Sequence, residues 1–518
     1  MGPLTGTPVP SGGGRLGPVT RRTLSVALLF FATALITRLP FQTENLWAHD
    51  SVLYERATLH FDPLDQRPQP PGYLYYVLVI RAIDAVTGDA NRAMTLVSLF
   101  ADALAIALLY LLAARLYDER TGRISALFLL SAVTFWAYGG IAYPYTLLAA
   151  LSIGCALLLW RVVAAATPSA KTGALLVASA AWGIAIGFRS DLAIFIAPLW
   201  LVAAWGAPIV AWIAGAAAVG ALFGIWYVAS ALADGGFARF SEALRVQAQF
   251  VDDRYSVFGA LGLRALYGNV YELARFLGRG LYFLVPLIAL VPLSAAARRI
   301  ELADRRRALF LAAWTFSPLL VYVPIHSGEY GYVFSMIPGL CVIAARGAIA
   351  LARGLRMPRT LPWVVAAVVL ANSAIFLVSD TPLSAIDVIR RDRGTTEKVQ
   401  RLESLNLDWA TVVAAYDGVV VERYLVETVA QRGRLVGPRL WAYDPVLPRS
   451  ERTFDVACDR PRPEECPPAV LIVWDDLLRV SGAGWEEIRM PHGSRLRIAR
   501  DVANATVIFD GLEVTVVR

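Results

Sequence analysis

The chain has 518 residues, 57% of them hydrophobic and only 17% charged, whereas an ordinary soluble domain carries roughly 25% charged residues. A mean hydropathy of +0.54 excludes a soluble enzyme, because so high an average over a whole chain requires long apolar runs matched to a bilayer. The net charge of +7 does not point to nucleic acid either, since the basic residues stand in short clusters between apolar runs and read as topology signals.

Residues 1–20 are rich in Gly and Pro and lack an apolar run ending in a small-residue cleavage site, so they read as a disordered cytoplasmic tail and not as a signal peptide. Arg21 and Arg22 precede the first apolar run, 23–41, and hold the N-terminus in the cytoplasm by the positive-inside rule. Residues 42–91 form a polar first outer loop, interrupted by the apolar stretch 73–83, which is too short to span and reads as an interfacial helix opened by Pro70 and Pro71.

Further spans are predicted near 93–114, 124–142, 145–164, 173–188, 191–206, 209–232, 280–297, 308–325, 333–351 and 361–378. Arg115, Arg120 and Arg123, then Arg161 and Lys171, then Arg298, Arg299 and Arg305 to Arg307, and last Arg353, Arg356 and Arg359, all fall on the cytoplasmic side of this arrangement. The spacing therefore predicts a polytopic α-helical membrane protein with about eleven transmembrane helices over residues 21–379, and a second long outer loop at 233–279.

An odd number of crossings places residues 380–518 outside, as a soluble α/β domain of about 140 residues, enough to bury its own core. The β-branched runs 411–416 and 469–474 read as buried strands, 419–431 has helical spacing, and 506–516 reads as a hairpin turning at Asp510-Gly511. Cys458 and Cys466 flank a Pro- and charge-rich loop, and a disulfide between them fits an oxidising compartment. Cys155 and Cys341 fall within spans and read as small core residues.

All four histidines, His49, His60, His326 and His492, fall on the outer side. A chain that gathers its reactive side chains in the first outer loop and at outer helix ends is built to act at the outer face of the membrane. The first loop reads Ala48-His49-Asp50-Ser51-Val52-Leu53-Tyr54-Glu55, then Arg67-Pro68-Gln69-Pro70-Pro71-Gly72-Tyr73. Arg115-Leu116-Tyr117 closes the second span, Gly187-Phe188-Arg189-Ser190-Asp191 the fifth, Pro198-Leu199-Trp200 lies in the sixth, and His326-Ser327-Gly328-Glu329-Tyr330-Gly331-Tyr332 sits at an outer helix end.

In this order and on this side, these motifs resemble the GT-C glycosyltransferases over roughly residues 20–350. That superfamily includes the protein O-mannosyltransferases and the bacterial transferases that attach aminoarabinose to lipid A. A GC-rich bacterial genome accords with the arginine bias, 46 of the 48 basic residues, with only Lys171 and Lys398 as lysines.

The resemblance implies transfer of a sugar, with inversion, from a polyprenyl-phosphate donor to a hydroxyl on a glycan, lipid or protein acceptor, in the bacterial inner or plasma membrane. It implies Asp50 as the general base, since a neutral hydroxyl must lose its proton as it attacks. The leaving lipid phosphate departs as an anion and calls for cations and donors, for which Arg189, His326 and Arg254 stand, with Asp191 orienting Arg189. His49, Tyr54, Arg67, Glu329, Tyr330 and Tyr332 complete the expected substrate contacts.

The loop Ala142-Tyr143-Pro144-Tyr145 lacks the second acid that some relatives carry there, which gives no support to a divalent metal, and no other cofactor is implied. Simpler readings stand beside these: Asp50 as a helix cap, Arg189 with Asp191 as a structural ion pair, His326 as an interfacial side chain satisfied by a carbonyl, and the tyrosines as a bilayer-interface belt. Asp102, in mid-span, is costly unless paired. It motivates the alternative of a membrane transporter or lipid flippase.

Overall fold

The computed structural model describes residues 20–405 except 355 and, beyond them, 410–413, 433–436, 454–455, 470–474, 476, 479–482, 484–500, 506–509 and 512–517. The expected N-terminal tail, the helical segment 419–431, the turn Asp510-Gly511 and both Cys458 and Cys466 lie outside the described residues.

Helix α1 (Arg21–Arg38) starts at Thr20, whose hydroxyl accepts from the Thr23 N–H at 3.1 Å, satisfying one orphan donor of the first turn. Pro40 has no N–H to continue the ladder, and the chain tightens into a 3-10 turn, Leu39–Phe41. The first loop is more helical than its polar sequence suggests, since it contains α2 (His49–Leu59) as well as α3 (Leu74–Thr87), which covers the predicted interfacial helix.

Beyond them follow α4 (Ala90–Leu116), α5 (Glu119–Leu130), α6 (Val133–Tyr138), α7 (Tyr145–Ala164), α8 (Pro168–Phe188), α9 (Leu192–Ala204) and α10 (Ile209–Ala233). The second half of the bundle comprises α11 (Phe237–Tyr255), α12 (Leu263–Leu281), α13 (Val285–Leu293), α14 (Ala295–Leu302), α15 (Arg305–Phe316), α16 (Leu319–Tyr322), α17 (Ile337–Gly354) and α18 (Leu361–Val378). Acidic and hydroxyl caps recur where the sequence supplies them: Asp89, Asp118, Thr167 and Asp304 each accept a backbone N–H three residues on.

Among the described residues eight helical stretches are long and apolar enough to cross a membrane: Arg21–Phe41, Ala90–Leu116, Tyr145–Ala164, Pro168–Phe188, Ile209–Ala233, Leu263–Leu293, Ile337–Gly354 and Pro358–Val378. The chain is thus a multi-span helical membrane protein. All eleven expected spans fall on helices, but three do not form one long apolar rod. Segment 124–142 divides into α5 and α6, 308–325 divides into α15 and α16 at Pro318, and 191–206 yields only the 13-residue α9. Thirteen residues rise only about 20 Å, and such interrupted helices are tolerated where other helices surround them; every residue of α6 is buried. The stretch Leu263–Leu293 also starts well inside the expected outer loop 233–279, because α12 continues through a 3-10 turn into α13.

The helical segments run between two ends of the bundle. At one end the Asn91 side chain donates to the Thr43 carbonyl at 2.8 Å, Ser98 to Tyr143 at 2.8 Å and Ser51 to Ala142 at 2.8 Å, joining the starts of α2, α4 and α7. At the other end Arg307 donates to the Leu116 carbonyl at 3.0 Å, Trp160 to that of Arg115 at 3.2 Å, and Arg346 pairs with Glu301 at 2.7 Å. In between, α4 is the central helix, and α13 meets α17 so closely that a Cβ on Gly347 would lie 1.9 Å from the Leu287 carbonyl oxygen.

Beyond α18 the chain forms α19 (Ala385–Ser404) and two small sheets. Strands β1 (Ala410–Val413), β2 (Gly433–Val436), β3 (Phe454–Asp455), β4 (Val470–Val473), β5 (Arg479–Ser481), β6 (Trp485–Arg489), β7 (Arg495–Ala499), β8 (Thr506–Phe509) and β9 (Leu512–Val517) pair in the orders β2-β1-β4-β7-β6 and β3-β9-β8-β5. The two strands expected at 411–416 and 469–474 are parallel neighbours, Thr411 opposite Leu471. The expected hairpin is the antiparallel pair β8–β9, closing with Phe509 opposite Leu512. Val470, Ile472 and Trp474 are buried together with Leu402 of α19, so α19 packs on this sheet as well as on the bundle.

Candidate active site

Helix α2 determines where Asp50 stands. Ala48 is its N-cap, and Asp50 lies in the first turn, where a negative charge is favoured by the positive end of the helix dipole. It is not the cap that the simpler sequence reading allowed. Ser51, fully buried, fixes the turn through its 2.8 Å hydrogen bond to the Ala142 carbonyl, and half-buried Asp50 thereby stands over the tyrosine-rich loop before α7. Burial pushes the phenols of Tyr54, Tyr73, Tyr143 and Tyr332 upward, Tyr73 to about 12, and the charge of Asp50 adds to the rise at all four. Side chains from four separate parts of the chain thus lie within reach of the charge of one carboxylate.

Arg189, only 2% exposed, ends α8 and turns into this cluster. Its Nη2 and Nε reach the two Asp191 oxygens at 2.7 and 3.3 Å, the fork geometry that suits a guanidinium to a carboxylate. The guanidinium carbon of Arg189 lies over two rings, 5.1 Å from the centre of Tyr73 and 4.8 Å from that of Tyr145. Tyr145 in turn stacks on Tyr143 and meets Tyr332 edge-on. The close approach requires a glycine: a Cβ on Gly331 would fall 2.1 Å from the Tyr145 ring.

Glu329, from the loop before α17, is the second acid. Burial first, and the negative charge of Asp50 second, push its carboxyl up to about 7, opposed by Arg391 of α19 and the Tyr138 hydroxyl. Tyr138 donates to Glu329 Oε2 at 3.5 Å. The loop after α6 lacks a carboxylate, as its sequence says, but the fold supplies one from a position 279 residues after Asp50. The negative charge of Asp50 thus disfavours ionisation of Glu329 and helps keep its carboxyl protonated toward neutral pH. Among the described residues no three His, Cys, Asp or Glu side chains gather in a metal-holding group.

Other expected residues are distributed differently. His326 packs against Tyr255 at a tilt, ring centres 4.3 Å apart, and meets Tyr332 edge-on, and burial lowers it to about 4. Burial thus favours the neutral imidazole, which keeps one N–H donor. Its Nδ1 is buried without a hydrogen-bond partner. Tyr330 turns to α12, where Arg279 reaches its hydroxyl and Phe276 packs on its ring. Arg67 pairs with Asp65 at 2.9 Å within its own loop, and Arg254 lies over Phe250 of α11 at 4.3 Å. His49 opens α2 beside Asp50.

Tyr73, Tyr143 and Tyr145 were legible as aromatics in short loops, but Arg391, beyond the last span, gave no signal that it reaches this end. Asp102 pairs with Arg38 at 2.9 Å, both side chains fully buried, and Arg38 also donates to the Leu130 carbonyl at 2.7 Å. That closed ion pair removes the feature that motivated a transport pathway.

Residues 69–231 match the family model described as dolichyl-phosphate-mannose-protein mannosyltransferase. The matched segment holds Tyr73, Tyr143, Tyr145, Arg189 and Asp191 and stops short of Asp50 on one side and Glu329 on the other. No curated protein sequence matches the chain. Among solved structures it is similar to ArnT from Cupriavidus metallidurans bound to undecaprenyl phosphate, with 14% identity, a TM-score of 0.47 and coverage of 92% of this chain and 97% of that one. The apo state of the same protein gives 14% identity, a TM-score of 0.44 and coverage of 92% and 98%. The Archaeoglobus fulgidus oligosaccharyltransferase in complex with Zn and sulfate gives 12%, 0.45, 79% and 62%.

Proposed function

We propose that the chain, whose residues 69–231 match the dolichyl-phosphate-mannose-protein mannosyltransferase family model, is a membrane glycosyltransferase that moves a sugar from a polyprenyl-phosphate donor to an acceptor hydroxyl, with Asp50 as the general base. The observation that carries this reading is the gathering at one end of the bundle of half-buried Asp50, the tyrosines and Glu329 on which its charge acts, and Arg189 set against Tyr73 and Tyr145. The family's name supplies the donor class.

In this mechanism the acceptor oxygen attacks the anomeric carbon while its proton passes to the Asp50 carboxylate, and the bond from that carbon to the phosphate oxygen breaks. The polyprenyl phosphate leaves with the bonding electron pair. Glu329, in its protonated form, adds no second negative charge where a phosphate must lie. Arg189, neutralised along one edge by Asp191 and packed against Tyr73 and Tyr145, sets the shape and polarity of the sugar subsite, and aromatic faces suit the apolar face of a sugar ring.

The site end is the outer face, residues 380–518 form an exported domain, and the arginine-rich end is cytoplasmic. The basic clusters support this orientation, as does the gathering of the sites before α4, α7 and α17 and after α8 at one end. Asp50→Asn, supplied in vesicles with a labelled polyprenyl-phosphate sugar, should lose about 10²–10⁴-fold in transfer while its melting temperature stays that of wild type. Full activity would remove Asp50 from the base role. Cysteines placed singly along 380–400 and at 305–306 should react with an impermeant reagent in the first set only; the reverse pattern would invert the orientation.

A further inference from the structure

Helices α5 and α18 start at the same, arginine-rich end of the bundle, and a groove of about 520 Å³ runs between them. Its α5 wall is Arg120, Arg123, Ile124 and Leu127, whose helical spacing puts them on one face. The α18 wall, from Leu361 to Leu370, is apolar throughout. Ile124, Leu361 and Val365 are buried and make the floor, while Leu370 is exposed at the rim. At 1.5 Å per residue the walls extend about 10 and 14 Å, close to the depth of one leaflet of a bilayer whose hydrocarbon core is about 30 Å thick.

The polar members of the lining stand together where the groove begins. Arg120 is exposed and makes no hydrogen bond or ion pair among the described residues. Arg123 gives one nitrogen to Glu119 at 2.7 Å. Asp118 is occupied as the cap of α5, accepting the Thr121 N–H at 2.7 Å. Arg359, also exposed, lies two residues ahead of Leu361 in the turn Pro358–Thr360. With three arginines against Asp118 and Glu119, this end of the groove carries an excess of positive charge.

An apolar groove inside a bilayer takes a lipid chain, and the charge at its end selects the head group. We propose that the groove binds one anionic phospholipid, with its phosphate on Arg120 and Arg123 and one acyl chain laid along Ile124, Leu127 and the face of α18. Basic pockets between spans hold anionic head groups in this way, and a guanidinium meets two phosphate oxygens at once. A zwitterionic head group brings its own cation, which the excess of arginine repels. Free phosphate would leave the apolar walls uncovered, and a polyprenyl chain is several times longer than the groove. Of the α18 side chains only Leu361, Val365, Asn372 and Phe376 are buried, so a lipid chain here seats the last span, from which α19 follows, against α5. The inference is independent of the sugar donor and of the general base.

The test is lipid binding to the full chain in detergent, read by native mass spectrometry, with melting temperatures measured in parallel. Phosphatidylglycerol should bind about tenfold more tightly than phosphatidylcholine, the difference expected of one charge-assisted contact. Arg120→Gln should remove most of that preference and leave phosphatidylcholine binding as in wild type, while Arg120→Lys should keep part of it. Arg305, exposed at the same end and outside the groove, is the control, and Arg305→Gln should bind both lipids as wild type does. Ala366→Phe fills the groove and should weaken both lipids. On the wild-type chain, phosphatidylglycerol should raise the melting temperature more than phosphatidylcholine does, a readout that needs no variant to fold. Equal affinity for the two lipids, an equal loss in Arg305→Gln and Arg120→Gln, or undiminished binding in Ala366→Phe would overturn the assignment. So would complete displacement of phosphatidylglycerol by an equal concentration of undecaprenyl phosphate or of inorganic phosphate.

Discussion

The two ends of the bundle use arginine and tyrosine in opposite ways. At the basic end Tyr117 lies between two guanidinium groups, Arg307 at 4.7 Å and Arg346 at 4.4 Å. At the site end a single guanidinium, Arg189, lies over two tyrosine rings. The basic end is redundant: Arg123 with Glu119 and Arg307 with Asp304 are partly exposed pairs within one helix turn, a class worth about 0.2–1 kcal/mol each, and exposed Arg305 and Arg306 add only to the local charge. The site end is singular: its groups are buried or half-buried, and apart from the Arg189–Asp191 pair they come together from distant parts of the chain. On the proposed function, the difference separates charges that set topology, where number matters, from charges that do chemistry, where position matters.

That contrast can be broken by substitution. Arg189→Lys keeps the charge but loses the fork to Asp191 and the flat stacking surface, so transfer should fall roughly ten- to a hundredfold in kcat/KM; wild-type kinetics would show that only charge counts at this end too. Glu329→Gln sharpens the contrast through pH. Because its carboxyl titrates near 7, wild-type Glu329 is mostly neutral below that pH and ionised above it, placing a second negative charge near the donor. The KM for the donor should therefore rise between pH 6 and 8 in wild type and stay flat over that range in Glu329→Gln; coincident profiles would detach Glu329 from the donor site. The smallest effect belongs to the other end, where Arg305→Gln combined with Arg306→Gln should leave transfer within about twofold, since the remaining arginines keep the local charge positive. A large loss in a correctly inserted double variant would mean that the basic end takes part in more than topology.

Between the ends, the Arg38–Asp102 pair shows how far sequence reading reaches. The burial of Asp102 in mid-span was legible, as was its need for a partner, because an isolated charge in a bilayer is costly. Its partner was not, since Arg38 sits 64 positions away at what reads as a span end. The same limit explains Glu329 and Arg391. Each appeared in sequence as one polar residue among others near a helix end, and only the meeting of the loop before α17 with α19 and α2 makes them neighbours of Asp50. His326 shows the same dependence on neighbours: burial, with Tyr255 packed beside it, lowers the affinity of its ring for a second proton, which residue type alone does not say.

Sequence by itself determined that the molecule is a multi-span helical membrane protein, the stretches that carry its apolar spans, the strands β1 and β4 and the hairpin β8–β9, and it nominated Asp50 and Arg189. These follow from hydrophobic runs, strand composition and basic clusters, which are local and additive along the chain. The tertiary structure decided that three expected spans are interrupted or short, that the first loop holds a helix presenting Asp50, and that Glu329, the tyrosines and α19 gather at its end of the bundle. Those outcomes depend on which surfaces bury one another. The free energy of burying a carboxyl or a guanidinium belongs to its neighbours in space, and linear order does not specify them.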